Sequence, residues 1–64
     1  MLIKEIAYKC NISVDTLWYY DKIGLLIPKR INNIRNYTKV DLHKLKAIIT
    51  MKKMMFTLAE IKKI

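Results

Sequence analysis

Cysteine, histidine, glycine and proline each occur only once in these 64 residues. A lone Cys10 excludes an internal disulfide, and Cys10 with His43 is too small a set for a structural zinc site. One Gly and one Pro leave little material for long flexible loops. Acidic residues are scarce as well: five against thirteen basic ones, a formal net charge of +8. That imbalance says nothing about fold, but it selects polyanionic partners, either nucleic acid or an anionic membrane surface. No secretory leader opens the chain and no apolar run approaches the roughly 18 residues of a membrane span. A cytoplasmic protein that does not enter the membrane is expected. The sets that catalysis requires are also missing: there is no Gly-rich phosphate loop, no Ser–His–acid group and no close carboxylate pair. The chain is not expected to be an enzyme, and neither a cofactor nor a metal site is expected.

What is present supports a folded domain. Hydrophobic residues make up 53% of the chain, and its length allows one domain whose core supplies no more than about 3–5 kcal/mol of net stability. Helical spacing of Ile3, Ile6, Ala7 and Cys10 predicts a first helix from about Ile3 to Cys10. Cys10 is expected as a buried thiol. Asn11 tolerates the left-handed conformation and makes a tight turn. Ser13 is a strong N-cap for a second helix, with Ile12 and Leu17 at the two hydrophobic-staple positions. That helix ends at Gly24. Helix, short Asn turn, capped helix is the layout of a helix-turn-helix over about residues 3–22.

A β-prone stretch follows over about residues 25–37. Leu25–Ile27 and Ile34–Tyr37 read as short strands, with Asn32 and Asn33 supplying the positive φ of a tight hairpin. Pro28 must then stand at an edge or strand end. Thr38 caps a third helix to about Met54, with Tyr37 and Leu42 as its staple and Leu42, Leu45, Ile48 and Ile49 as its apolar stripe. Thr57 opens a fourth helix through the capping box "TLAE", with Phe56 and Ile61 as staple, so a helix pair fills about residues 39–64. The expected fold class is mainly α: a winged helix-turn-helix of four short helices and a two-stranded hairpin.

On the second helix, Val14, Leu17 and Tyr20 face a core, while Asp15, Thr16, Tyr19 and Lys22 face outward and Trp18 lies on the flank. A Thr hydroxyl meets a phosphate or a base edge, and Tyr hydroxyls anchor phosphates. The simpler alternative makes Trp18 and Tyr19 core or dimer contacts. Asp15 favours the helix N-terminus electrostatically. Both arginines, Arg30 and Arg35, fall in the wing, and the planar guanidinium fork suits phosphate or guanine. Solvated surface charge, or an ion pair with Asp21, is the alternative. Lys52 and Lys53 precede the last turn, where a solvated face competes with phosphate contact. Met51, Met54 and Met55 are expected as packing.

Together these residues resemble a known family. "SVDTLWYYDKIGLL" is similar to the MerR-type transcriptional regulators, whose second helix carries Thr-Leu-Arg-Tyr-Tyr, an acid, then Ile-Gly-Leu. "PKRINNIRNYTKVDL" resembles the family's wing, and "MKKMMFTLAEI" its junction between the third and fourth helices. The resemblance covers nearly the whole chain. It implies that the second helix enters the major groove of duplex DNA, and that the hairpin and the later junction flank it. DNA contact then passes to Thr16, Tyr19, Tyr20, Arg30, Arg35 and Lys53, with Trp18 standing where the family usually has Arg. Asn11, Asn33 and Met55 stand where Gly is usual, and Met in a left-handed cap is strained by roughly 1–2 kcal/mol. The family's dimerising helix and effector domain would follow the fourth helix and are expected to be absent here. The implied function is sequence-selective double-stranded DNA binding in bacterial transcription regulation. There a homodimer distorts an over-long promoter spacer and so serves RNA polymerase indirectly. An excisionase-like DNA-bending protein and a protein-interaction module docking through Trp18 and the tyrosines are the alternatives. A cationic membrane-surface peptide fits poorly, because the capped breaks at Ser13, Thr38 and Thr57 divide the chain into a globule.

Overall fold

A computed structural model describes residues 1–63. The end of the expected helix pair, Ile64, lies outside the described residues. The elements run α1 (Ile3–Cys10), α2 (Val14–Lys22), β1 (Lys29–Ile31), β2 (Ile34–Asn36), α3 (Lys39–Lys53) and α4 (Leu58–Lys63). The class is mainly helical with one antiparallel hairpin, as the sequence predicts.

Three of the four helix starts follow from local side-chain chemistry; α1 opens after Leu2 with no side-chain cap. The Ser13 hydroxyl accepts from the Thr16 amide at 3.1 Å. Thr38 and Thr57 do the same for Asp41 and Glu60, whose carboxylates accept in turn from the Thr38 and Thr57 amides at 2.8 and 2.9 Å. The Thr38–Asp41 box is less legible in sequence than the Thr57–Glu60 box, because the recurrent pattern has Glu or Gln at that position. Hydrogen bonding from Thr57 holds the Glu60 carboxyl below its usual range.

The turns use left-handed residues. Asn11 ends α1 at φ 54°, and its amide and that of Ile12 return to Tyr8 and Ala7 carbonyls. Gly24 at φ 76° ends the region of α2. Asn32 and Asn33, at φ 52° and 63°, form a two-residue hairpin turn with positive φ at both positions, the twist-matched type. The register pairs Lys29 with Asn36, Arg30 with Arg35 and Ile31 with Ile34.

The first strand is displaced from its expected place. Leu25–Ile27 are not a strand, because the Leu25 and Leu26 amides both return to the Tyr20 carbonyl at 2.8 and 3.2 Å. Closing the end of α2 uses those donors and buries Leu26 in the core. Pro28 then has no N–H to offer, so pairing begins at Lys29. The second strand stops at Asn36 because the Tyr37 amide donates to the Met1 carbonyl at 2.7 Å.

One core joins all four helices. Ile6 and Ala7 (α1), Leu17 and Tyr20 (α2), Leu26, Tyr37, Leu45 and Ile48 (α3), and Ile61 (α4) are buried together. Leu42 and Ile49 pack partly against it. Cys10 is half-buried rather than fully enclosed. Of the methionines expected as packing, only Met51 touches the core; Met54 and Met55 are 63% and 88% exposed. The tight turn between α3 and α4 directs both outward.

Met55 occupies the left-handed region at φ 68°. Its side chain packs on nothing that offsets the clash of Cβ with the following carbonyl. Met55→Gly is therefore expected to stabilise the domain by about 1 kcal/mol, the relief exceeding the extra entropy of Gly in the unfolded chain. In a thermal melt that is a rise of about 4–8 °C. An unchanged or lower Tm would show that Met55 carries no such strain.

Candidate nucleic-acid interface

The α2 helix has one buried and one exposed side. Leu17 and Tyr20 are buried, which turns Tyr19 and Trp18 outward at 51% and 48% exposure. Asp15 and Lys22 are exposed at its two ends. Thr16 sits in the first turn, half-buried, its hydroxyl 2.8 Å from that of Ser13. The cap therefore orients the Thr16 hydroxyl as well as the helix start. The Tyr20 ring lies in the core, as the helical wheel places it, at 4% exposure. Burial pushes its phenol pKa up.

Asp21 connects α2 to the wing. A single carboxylate oxygen, Oδ2, accepts from Arg30 Nη2 at 2.8 Å and from Arg35 Nε at 2.7 Å. The Asp21 side chain is only 9% exposed, whereas Arg30 and Arg35 are 46% and 31% exposed. The arginines are cross-strand partners, and like charges placed opposite each other repel. One carboxylate offsets that repulsion and leaves the cluster with a net single positive charge. Water screens the exposed side of each pair, so each contributes on the order of 1 kcal/mol. The ion pair weighed as an alternative for the arginines is thus present, and it leaves part of each guanidinium open to solvent. Beneath the cluster lies Tyr37, 1% exposed, whose hydroxyl has no hydrogen-bond partner among the described residues. Desolvation raises the Tyr37 pKa; the Arg35 charge lowers it and Asp21 raises it.

Trp18 and Arg35 come together with Lys4 and the hairpin tip along one groove. Lys53 enters none of these contacts and is exposed in the last turn of α3. A contact that sequence reasoning missed lies at the other end of α2. Lys62 Nζ in α4 donates to the Ile23 carbonyl at 2.7 Å, fixing α4 against the end of the helix. Its partners are 39 residues apart, and a lysine on a short helix gives no local signal of such a contact.

Charge is divided unevenly. Four of the five acidic residues are engaged within the domain: Asp21 by the wing, Asp41 and Glu60 in capping boxes, and Glu5 with Lys9 at 4.0 Å. The basic excess is left to the surface. Among the described residues no group of His, Cys, Asp and Glu is arranged to hold a metal, and no helix is long and apolar enough to cross a membrane.

Comparison with known proteins agrees with this geometry. The family model "MerR HTH family regulatory protein" matches residues 1–64. The chain is 37% identical over 62 residues to the HTH-type transcriptional activator mta of Bacillus subtilis (strain 168), a match covering 94% of this chain and 24% of that protein. It superposes with TM-score 0.92 on the crystal structure of MtaN, the N-terminus of the B. subtilis multidrug transporter activator, at 35% identity over 98% of this chain and 61% of that one. A cryo-EM structure of an EcmrR–DNA complex in EcmrR-RPo is similar too, with TM-score 0.88 and 38% identity over 95% of this chain and 24% of that one. The chain spans less than half the length of the curated relatives it matches. With the family model matched from end to end, the chain belongs to the MerR family of HTH regulatory proteins and is a DNA-binding domain of that family.

Proposed function

We propose that this domain binds promoter DNA sequence-selectively, with α2 in the major groove and the hairpin and the α3–α4 junction on the flanking phosphates. The observation that carries this reading is the Asp21 clamp, which holds both wing arginines at a fixed place relative to α2. A B-form major groove admits one helix, and a cationic hairpin rigidly set beside that helix meets the adjoining backbone. In this arrangement Thr16 faces base edges, while Tyr19, Arg30, Arg35 and Lys53 hold phosphates. Tyr20 is limited to contact through its hydroxyl, because its ring belongs to the core. Trp18 meets the duplex on the wing side of α2. The whole protein is proposed to act in the cytoplasm as a homodimer that distorts the promoter and so serves RNA polymerase through the DNA. The EcmrR–DNA complex in EcmrR-RPo, similar over this domain, supports the DNA-binding part of this reading.

Two substitutions separate the roles. Arg35→Ala is expected to weaken a specific and a scrambled duplex alike, because phosphates are the same in both. Thr16→Ala is expected to shrink the difference between the duplexes by on the order of 1 kcal/mol, the scale of one lost base-pair preference. The Ser13 cap survives Thr16→Ala, since it is made to the Thr16 backbone amide. Equilibrium titrations of both variants on both duplexes decide the matter. The roles are reversed if Arg35→Ala changes the preference and Thr16→Ala only lowers affinity.

A further inference from the structure

An open groove of about 320 Å³ runs between the start of α1, the flank of α2 and the tip of the wing. Leu2, Lys4, Trp18, Asn33, Ile34 and Arg35 line it, and no acidic side chain does. Trp18 is nearly half exposed there, a large apolar surface left in water. Lys4 is exposed and makes no ion pair among the described residues. Arg35 gives its Nε to Asp21, while its Nη groups make no hydrogen bond among the described residues. One side chain thus offers an apolar plate, and two others offer cationic donors on the same concave surface.

We propose that this groove is a subsite for the DNA backbone, with a deoxyribose against the Trp18 indole and its phosphate between Lys4 and Arg35. The proposal rests on the duplex-binding reading above and adds Lys4 to it. The match is one of chemistry. A free phosphate satisfies the two cations and leaves the indole wet. An apolar peptide covers the indole and leaves the cations without counter-charge. A phosphodiester with its sugar supplies both, in the alternation that the groove presents. Trp18 then takes up contact area with the sugar where an arginine would have met the phosphate, and Lys4 supplies the charge from α1 instead.

Trp18 is the chain's single tryptophan, so emission excited on the red edge, beyond tyrosine absorption, reports this groove. The full chain is titrated with unlabelled duplex while Trp18 emission is followed, and in parallel with labelled duplex followed by anisotropy. The expected result is a change in Trp18 emission with the same midpoint as the anisotropy. Inorganic phosphate at matched ionic strength is expected to leave the emission unchanged. Lys4→Gln is expected to flatten the slope of log K against log salt by at most about 0.9, the value of one phosphate contact, because Arg35 shares that phosphate; this is a loss of up to about eightfold at 0.1 M salt. Its melting curve should match the parent's, because Lys4 is exposed and makes no ion pair among the described residues. The proposal is overturned if the duplex binds by anisotropy while Trp18 emission stays fixed. Lys4→Gln keeping both affinity and slope overturns it too, and an emission change with phosphate alone assigns the groove to free phosphate. No anisotropy change at all removes the duplex-binding reading itself, and this subsite with it.

Discussion

Leu17→Ala is expected to leave the domain largely unfolded at 25 °C. Leu17 is fully buried on the inner side of α2 and holds the staple position opposite Ile12. Truncating a fully buried Leu to Ala costs about 2.7–5 kcal/mol, lost transfer energy plus the cavity left behind. A domain of this size has about 3–5 kcal/mol to lose. The two ranges overlap, so one substitution removes most or all of the stability. Far-UV circular dichroism against temperature is the measurement, with Val40→Ala as control. Val40 is 63% exposed on α3, and its truncation should change stability by no more than about 0.5 kcal/mol. A Leu17→Ala domain that melts cooperatively within a few degrees of the parent would contradict a core built through α2.

Replacing both wing arginines, Arg30→Ala with Arg35→Ala, is expected to lower duplex affinity about 60-fold at 0.1 M salt. Each phosphate contact contributes about 0.9 to the slope of log K against log salt, so the slope should flatten by about 1.8. The variant should also melt at a lower temperature. Asp21 is only 9% exposed and accepts from both arginines through one oxygen. Without them its carboxylate keeps the cost of partial burial and loses the compensating charge. Asp21→Asn in the same background removes the uncompensated charge beneath the wing and is expected to recover part of the Tm and only the small share of affinity that the bare carboxylate costs by repelling phosphate. Full recovery of affinity by Asp21→Asn would mean that the arginines serve the fold and do not touch DNA. Binding is to be measured at a temperature where both variants are folded.

The parts of this fold that were legible in the sequence are those set by neighbours within four residues. Ser13, Thr38 and Thr57 announce helix starts because a cap is a local hydrogen bond, and each makes that bond. Asn11, Asn32 and Asn33 announce turns because few residues tolerate positive φ, and all three adopt it. Leu17 and Tyr20 were placed inside by helical period alone. The misplaced strand shows where local reading stops. Leu25–Ile27 are β-prone by composition, yet their amides are claimed by the end of α2 and Leu26 is claimed by the core. Met54 and Met55 fit a helical stripe and still point outward, because the turn between α3 and α4 redirects them.

Site geometry was legible in kind and less so in arrangement. Two arginines on a hairpin beside a helix-turn-helix read as a phosphate clamp, but their sharing of one Asp21 oxygen depends on how the wing packs against α2. Lys4 carries no local signal in the sequence, since a lysine in the first turn of a helix has no special partner there. Only the folded chain brings it to the groove of Trp18 and Arg35. The bond from Lys62 to the Ile23 carbonyl is likewise a product of tertiary packing.

The most direct test of the central claim is a salt titration of the unaltered chain on duplex DNA. Affinity for one specific duplex and one scrambled duplex is measured at several salt concentrations. Measured on these 64 residues at one half-site, binding should be weak in absolute terms. Log K should nevertheless fall linearly with log salt, with a slope of about −3 if Arg30, Arg35 and Lys53 each hold a phosphate, and the specific duplex should stay the tighter at every concentration. A slope near zero, or equal affinity for the two duplexes throughout, would contradict sequence-selective binding through α2 and its arginine wing.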